Sequence, residues 1–182
     1  MELGLVEGTV KLCEHDSQWS DEAARTIEYL KQLLKDQDIL EYQHVGSTSI
    51  NGIPAKPIID IAAAISDESV VEKCKDTFEA EGFKYLGKVQ DDDWMYYIGH
   101  PGQNDRTHHV HLVTAGSRTW KAYIAFRDYL NTFPDEAKKY EDIKRKAAEQ
   151  NINKRKEYHK MKSPVIEELE MKAIEWFDAK DR

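Results

Sequence analysis

Cysteine is scarce in this sequence. Its 182 residues include only Cys13 and Cys74, which lie far apart and form no Cys-x-x-Cys pair. This pattern excludes a zinc site built from cysteines and does not indicate a disulfide-rich scaffold. Two isolated thiols fit a reducing compartment, so we expect a cytoplasmic protein.

Long apolar runs are also missing. No stretch approaches the roughly 20 apolar residues that a membrane-spanning helix needs, so we expect no membrane partner. The first 15 residues carry Glu2, Glu7 and Glu14 and lack the basic and apolar regions of a signal peptide. With 40% hydrophobic and 33% charged residues, the composition predicts a single domain over residues 1–182 with a substantial core.

The sequence lacks the excess of basic residues typical of nucleic-acid-binding proteins. Its net charge of −8 argues against general nucleic-acid binding. Residues 138–162 are an exception, because ten Lys or Arg against four Asp or Glu give this segment +6 and leave the remainder at −14. One interpretation is a surface that faces a polyanion such as a triphosphate or RNA. The other, which we favour, is a solvated helix face with ion pairs such as Glu141–Arg145.

Hydrophobic periodicity predicts strands mainly in the first two thirds of the chain and helices in the last third. The predicted strands cover residues 9–13, 39–45, 58–65, 83–86, 94–98 and 106–113. The predicted helices cover residues 19–35, 67–82, 117–131, 134–147 and the segment from Ser163 onward. We therefore expect an α/β or α+β fold with a mixed β-sheet flanked by helices. About residues 1–116 would form the sheet-containing core and about residues 117–182 a helical C-terminal layer.

Residues 44–64 combine a turn of small residues with an apolar run that contains one carboxylate. Gly46, Ser47, Thr48 and Ser49 supply backbone N–H groups and hydroxyls suited to lining a phosphate site. Asp60 stands within the apolar run 58–65. Because a buried carboxylate needs a partner or an ion, we expect Asp60 to face a cleft. A tight turn followed by a buried strand with a solvated aspartate is the alternative.

A second chemical pattern lies in the strand predicted over residues 106–113. Because side chains alternate across a strand, His109 and His111 share one face and Val110 lies on the other. Two imidazoles at this spacing are suited to binding one divalent cation or one phosphate. If this strand neighbours that of Asp60, the three side chains lie within about 5 to 8 Å of each other. They would then favour Zn²⁺ or Mn²⁺ over Mg²⁺, with a structural Asp–His hydrogen bond as the alternative.

Three consecutive acids, Asp91, Asp92 and Asp93, separate two of the predicted strands. They are a candidate cation site. An acidic hairpin tip is the commoner explanation for such a run, and we adopt it.

Four segments together resemble the GrpB-like family of the nucleotidyltransferase superfamily. They are HVGSTSINGIPAKPIIDI from residue 44, RTHHVH from residue 106, FRDYL from residue 126 and YHKMK from residue 158. The matches cover nearly the whole chain, and the resemblance implies a nucleotidyltransferase-like fold. In the superfamily pattern a Gly-Ser pair opens a helix, and carboxylates on two strands hold two metal ions that align a triphosphate for in-line attack.

The sequence departs from this superfamily pattern in its carboxylates. The Gly-Ser pair corresponds to Gly46-Ser47 and the first carboxylate to Asp60, but the second carboxylate position is Ala62. No Asp or Glu falls within residues 108–113, where histidines stand instead. One Asp with two His is a poor site for Mg²⁺, which prefers oxygen ligands.

Two functional hypotheses follow, and an interaction protein that keeps only the fold is a third. The first is a nucleotidyltransferase-like enzyme acting on a nucleotide or phosphate ester, with Asp60 and His111 as catalytic residues. Its cofactors would be a divalent metal (Mg, Mn or Zn) held by Asp60, His109 and His111, and a nucleotide triphosphate. The second is a non-catalytic nucleotide-binding module with a degenerate active site. In both, the partner is a nucleotide or a phosphorylated small molecule, and the basic segment 138–162 keeps nucleic acid open as a partner.

Three basic side chains are candidate phosphate ligands. Lys56 lies in the loop before the Asp60 strand, where an exposed loop lysine is an equally good explanation. Arg106 and Arg127 lie in segments that match the family, and arginine binds phosphate bidentately. We expect at least one of these two arginines to face the same cleft as Asp60, although Arg127 is also placed to pair with Asp128.

Overall fold

The computed structural model of the protein describes residues 1–180 and contains seven β-strands and five α-helices within that range. The strands are β1 Leu5–Val6, β2 Ile39–Val45, β3 Ile59–Ile65, β4 Lys84–Gln90, β5 Asp93–Ile98, β6 Asp105–Arg106 and β7 His108–Thr114. The helices are α1 Gln18–Leu33, α2 Ser69–Ala80, α3 Arg118–Thr132, α4 Pro134–Gln150 and α5 Arg155–Lys180. The expected fold class, a mixed sheet flanked by helices with a helical C-terminal layer, is confirmed.

Five strands form one mixed sheet in the order β2-β3-β7-β5-β4. Only β3 and β7 are parallel, and every other neighbouring pair in this sheet is antiparallel. The parallel register sets Asp60 opposite His109 and Ala62 opposite His111. The two strands that carry the candidate site are therefore direct neighbours. The short strands β1 and β6 pair separately.

Helices α1 and α2 cover one face of the sheet. Alternate residues of β3 and β7, such as Ile61 and Leu112, are fully buried in this core. Trp19 and Leu30 of α1 and Phe78 of α2 pack in the same cluster. Every residue of β3 except Asp60 is buried, on both faces of the sheet, so this strand reads in the sequence as a nearly continuous apolar run.

The opposite face carries the helical C-terminal layer. Ala62, Ala64 and Val113 are small enough for α3 to approach the sheet, and Trp120 packs against them. Helices α3, α4 and α5 then pack on one another around a second core that includes Leu169. Within residues 1–180, no helix combines the length and the apolar character needed to cross a membrane.

The predicted edge strand over residues 9–13 is wrong. In this stretch only Cys13 forms a β-bridge, with Ala55. Val10 instead packs with Ala147 and Tyr158 of the helical layer, and its N–H donates to the carbonyl of Ile152. The segment is therefore held by the C-terminal helices rather than by the sheet.

The predicted start of the last helix at Ser163 is also wrong, because α5 is continuous from Arg155 to Lys180 with Pro164 inside it. A proline in a helix removes one backbone donor and crowds the preceding turn. The Ser163 hydroxyl donates to the carbonyl of His159 beside this interruption. Leu169 and Ala173 are fully buried against the neighbouring helices. Tertiary packing thus outweighs the local signal of the proline.

We expect Pro164→Ala to stabilise the protein. Alanine restores the N–H donor and removes the ring clash, which is worth up to about 3 kcal/mol in a helix interior. The melting temperature in a thermal unfolding experiment should therefore rise. Pro134 occupies the first turn of α4, where no donor is lost, so Pro134→Ala is the matched control and should not gain stability. A melting temperature of Pro164→Ala at or below that of the wild type would contradict this account.

Candidate functional site

The structure brings Asp60, His109 and His111 together on the sheet face that α3 partly covers. Nδ1 of His109 lies 2.8 Å from Oδ1 of Asp60, and Nε2 of His111 lies 3.9 Å from the same oxygen. Each of the three residues has one potential metal-ligand atom that lies within 4.8 Å of the corresponding atoms of the other two. The predicted convergence of the three side chains is confirmed as geometry. It follows directly from the parallel register of β3 and β7.

Asp93 is a fourth member of this cluster, and sequence analysis missed it. Its side chain is fully buried at the start of β5, and Oδ2 lies 3.0 Å from Nδ1 of His111. The hydroxyl of Tyr123 donates to the same carboxylate at 2.6 Å. The assignment of Asp93 to an acidic hairpin tip is therefore wrong. Strand alternation puts Asp93 on the same face as Met95, but the sequence does not show that this face carries the site, as the lining of the Asp60 cavity by Met95 does.

The two histidines hold different charges because they contact different numbers of carboxylates. Burial lowers the pKa of His111, but hydrogen bonding and attraction to Asp60 and Asp93 outweigh it and raise this pKa to about 9. Burial is the larger effect at His109, which has only Asp60 beside it, and its pKa is lowered. At neutral pH His111 is consequently an imidazolium and His109 is neutral.

Asp60 is ionised in this setting. Burial opposes its ionisation, but hydrogen bonds from His109 and His111 prevail and hold the pKa of the carboxyl well below its usual range. The neutral His109 therefore donates from Nδ1 to the Asp60 carboxylate. Its Nε2 is buried and has no hydrogen-bond partner among residues 1–180.

Three cationic side chains complete the wall of a cavity of about 310 Å³ around Asp60, and these are Lys56, Arg155 and Lys162. Burial, followed by repulsion from neighbouring cations, lowers the pKa of Lys56 to about 7. Burial and the nearby Arg155 lower that of Lys162 to about 8, despite the attraction of Asp60. Lys56 is therefore not a freely exposed loop lysine.

The basic segment 138–162 divides between two helices with different surroundings. On α4, Arg145 pairs with Glu141 at 2.7 Å, which confirms the ion pair expected for a solvated face. On α5, Arg155 and Lys162 are two turns apart and both reach the Asp60 cavity. Sequence analysis missed these two as site residues because it did not place them on one helix.

The Gly46 turn is shaped by Asp60. Gly46 has φ of 70°, and a Cβ at this position would clash with the Asp60 carboxylate. Glycine is therefore required for close approach of a carboxylate. Ser47, which follows it, also lines the cavity.

Two of the expected phosphate-binding hydroxyls are engaged elsewhere. The hydroxyl of Thr48, a buried residue, lies 3.0 Å from Nε2 of His44, and that of Ser49 donates to the carbonyl of Gly46 at 2.7 Å. The expectation that every hydroxyl of this turn lines the site is wrong for Thr48 and Ser49. Their hydrogen bonds hold the turn in shape.

Neither Arg106 nor Arg127 is among the residues that line the Asp60 cavity, so that expectation is not met. The guanidinium of Arg127 donates to the side chain of Gln43 and to the carbonyl of His44, and it pairs with Asp128. Arg106 stacks on Tyr97 and lines a larger adjoining groove. The arginine of the Asp60 cavity is Arg155.

Comparisons with known proteins agree with one another. A protein-family model described as GrpB protein matches residues 9–172. The "Glutamate-rich protein GrpB" of Alkalihalophilus pseudofirmus is 32% identical over 170 residues, covering 92% of this chain and 97% of the relative. The crystal structure of the conserved protein GrpB from Enterococcus faecalis superposes with a TM-score of 0.82 at 28% identity, over 92% of this chain and 99% of that one.

A more distant structural similarity concerns the fold alone. The Cid1 poly(U) polymerase bound to MgATP matches with a TM-score of 0.51 at 11% identity. The match covers 72% of this chain and 45% of that protein. Over that part, the fold is thus similar to the fold of this polymerase.

We expect Gly46→Ala to destabilise the protein more than Gly52→Ala does. Both glycines have positive φ, so alanine pays a similar backbone cost of about 1 to 2 kcal/mol at either position. Only at Gly46 would the new Cβ meet Asp60, whereas the space beside Gly52 is open. Urea unfolding should show the larger loss of unfolding free energy for Gly46→Ala, and equal losses would contradict the close contact with Asp60.

We expect the stabilising contribution of His111 to the metal-free protein to fall as the pH rises from 6.5 to 9. The pKa of His111 is raised from 6.5 to about 9 by folding, so its stabilisation is complete below pH 6.5 and lost through pH 9. The full loss is roughly 3 kcal/mol, at about 1.4 kcal/mol per pKa unit. Urea unfolding with EDTA across this range should therefore show that the wild type loses its stability advantage over His111→Gln, so that the two proteins differ in the slope of stability against pH. Lys56 and Lys162, whose lowered pKa values make stability rise with pH, act alike in both proteins.

The exposed His100 provides the control for this experiment. It lies outside the Asp60 cavity, so His100→Gln should keep the wild-type slope. A wild-type slope in His111→Gln would show that this residue does not hold a proton between the two carboxylates.

Proposed function

This chain belongs to the GrpB family, and we propose that it is a nucleotidyltransferase-like enzyme that uses a divalent metal ion. Its reaction would transfer a nucleotidyl or phosphoryl group, or cleave a phosphate ester. The observation that carries the proposal is that one cavity is lined both by side chains of the types that bind metal ions and by cationic side chains. The first set is Asp60, His109 and His111, and the second is Lys56, Arg155 and Lys162.

The clustering of cations favours a phosphate ligand. Lys56, Arg155 and Lys162 repel one another, and this repulsion contributes to the lowered pKa of both lysines. Holding such groups together in a partly buried wall is electrostatically unfavourable unless an anion binds there. Nη1 of Arg155 is also buried without a hydrogen-bond partner among the described residues. A phosphate group supplies both the negative charge and the acceptor oxygens that this wall lacks.

The donor set fits a divalent ion that accepts nitrogen ligands. Asp60 offers an oxygen, and the free Nε2 of His109 is a buried nitrogen without a partner among the described residues. Nε2 of His111, 3.9 Å from Oδ1 of Asp60, would become a ligand when ion binding releases its proton. This combination suits Zn²⁺ or Mn²⁺ better than Mg²⁺. Asp93 accepts from Nδ1 of His111 and so orients that ring, as carboxylates do behind histidine ligands. When bound, the ion would neutralise phosphate charge and polarise the phosphorus toward attack.

The protein side chains would divide the remaining work. Arg155 would hold phosphate oxygens bidentately, while Lys56 and Lys162 would act as point charges. Asp60 keeps a negative charge in the cavity. His111, protonated at neutral pH, would give a proton to the departing oxygen in any turnover where it does not ligate the ion. The nucleotidyltransferase fold, shared with a polymerase whose structure holds MgATP, supports a nucleotide triphosphate as the ligand.

A non-catalytic nucleotide-binding module is the second candidate. It is favoured by Ala62, which stands where the superfamily pattern has a second carboxylate. Ala62 is fully buried and packs in the cluster of Trp120, so no ligand can reach it. The phosphate-binding wall would then be retained without the chemistry.

Asp60→Asn should separate these functions. Calorimetric titration of untagged wild-type protein with MnCl₂ or ZnCl₂, then with ATP and UTP, should show one bound ion and nucleotide binding that depends on it. Asp60→Asn should weaken ion binding by at least about tenfold, because the charged oxygen ligand is lost. The exposed Asp91 gives the matched control, Asp91→Asn, which should bind like the wild type.

Turnover is measured in the same preparations as release of pyrophosphate or phosphate. Release that Asp60→Asn abolishes supports the enzyme. Ion-dependent nucleotide binding without release supports the binding module. If the wild type binds no divalent ion even with nucleotide present, the metal site and the enzyme proposal are both wrong.

A further inference from the structure

A second, larger cavity adjoins the Asp60 cavity. It is a groove of about 1220 Å³ between the start of α5, the edge of the sheet and the N-terminal segment. Met95, Arg155 and His159 line both cavities. A molecule in the groove would therefore lie directly beside a ligand bound at Asp60.

The groove is basic although the chain is acidic. Four of its lining residues are cations and two are acids, and these are Arg106, Lys154, Arg155 and Lys156 against Glu7 and Glu157. Three of the cations stand at the start of α5, a 26-residue helix, where the helix dipole is positive. Cations at this end of a helix are unfavourably placed on their own, and a bound anion would compensate both the side chains and the dipole.

A buried donor in the groove wall supports a polar ligand independently. Arg106 is only 7% exposed, stacks on Tyr97 and pairs with Glu7. Its Nε remains without a hydrogen-bond partner among residues 1–180. An unpaired buried donor is costly, so this Nε indicates that an acceptor atom from outside the chain belongs in the groove.

The groove also has an apolar side. Leu86, which is 40% exposed, and Met95 also line it. A ligand that satisfies both sides carries phosphate at one end and an apolar or planar group at the other. Its volume of about 1220 Å³ is sufficient for a small phosphorylated molecule. The chain outside residues 138–162 carries −14, and this net charge disfavours a long polyanion that would extend beyond the groove.

We propose that this groove binds the second substrate of the reaction, a small phosphorylated acceptor with a planar or apolar group. The assignment rests on the proposed function of the Asp60 cavity. In a nucleotidyl transfer, a hydroxyl oxygen of the acceptor forms the new bond to the α-phosphorus of the nucleotide triphosphate. The bond from that phosphorus to pyrophosphate breaks, pyrophosphate leaves with the electron pair, and the hydroxyl proton passes to water. Arg155, which lines both cavities, positions the two substrates relative to each other.

Binding of AMP in EDTA tests the groove without involving a metal ion. AMP supplies a phosphate and a planar base, and ribose 5-phosphate supplies the phosphate alone. Calorimetric titration should show that wild-type protein binds AMP more tightly than ribose 5-phosphate. The double variant Lys154→Glu/Lys156→Glu should weaken AMP binding by about tenfold or more, because two exposed cations become anions.

Matched variants separate this test from that of the Asp60 cavity. Lys146→Glu/Lys160→Glu makes the same charge change at basic residues that do not line the groove, and it should leave AMP binding within about twofold of the wild type. If the wild type binds AMP in EDTA but binds no divalent ion, the groove stands and the proposed metal chemistry fails.

Three results would overturn the acceptor assignment. One is no AMP binding at millimolar concentration, and another is equal loss in the two double variants. The third is a 20-nucleotide RNA that binds more tightly than AMP and loses affinity in Lys154→Glu/Lys156→Glu. That result would assign the groove to nucleic acid instead of a small molecule.

Discussion

A buried carboxylate must be neutralised, and this requirement at Asp60 organises the site. The side chain of Asp60 is only 22% exposed and stays ionised. Water cannot solvate it fully, so the neighbouring strand supplies two imidazoles, one of them charged. The same unmet charge draws the ends of Lys56 and Lys162 toward the cavity, where Asp60 supports their protonation. The positive and negative sides of the site thus depend on one residue.

The strand order makes this arrangement possible. β7 carries the histidines and lies between β3, which carries Asp60, and β5, which carries Asp93. His111 therefore contacts carboxylates from both sides, while His109 contacts one. Two residues of the same type on one strand face acquire different protonation states from this difference alone. Such divergence of paired groups is what acid–base chemistry near neutral pH requires.

The sequence predicts those parts of the site that depend on local rules and misses those that depend on tertiary packing. Alternation along β3 and β7 correctly places Asp60 with His109 and His111, because a period of two leaves only one shared face. The role of Asp93 is not predicted because it depends on which residues form the β4–β5 turn. Three consecutive aspartates do not show which of them lies in the turn and which begins β5. The cationic wall of the Asp60 cavity is not fully predicted for a similar reason. Lys56 is identified from the sequence, but Arg155 and Lys162 share a face only because residues 155–162 are helical, whereas the sequence predicts the last helix from Ser163 onward.

The contact between Gly46 and Asp60 has a consequence for how this site can change over evolutionary time. The volume that a Cβ would fill at position 46 is already taken by the carboxylate of residue 60. The side chains at positions 46 and 60 therefore compete for the same space. A larger residue at 46 requires a shorter one at 60. A lineage that acquires alanine at 46 has to replace Asp60 by a smaller residue. Without this carboxylate, selection no longer favours the histidines at 109 and 111 that neutralise it. Positions 46 and 60 should consequently covary, and the presence of glycine at 46 would mark the relatives that still have room for the acid.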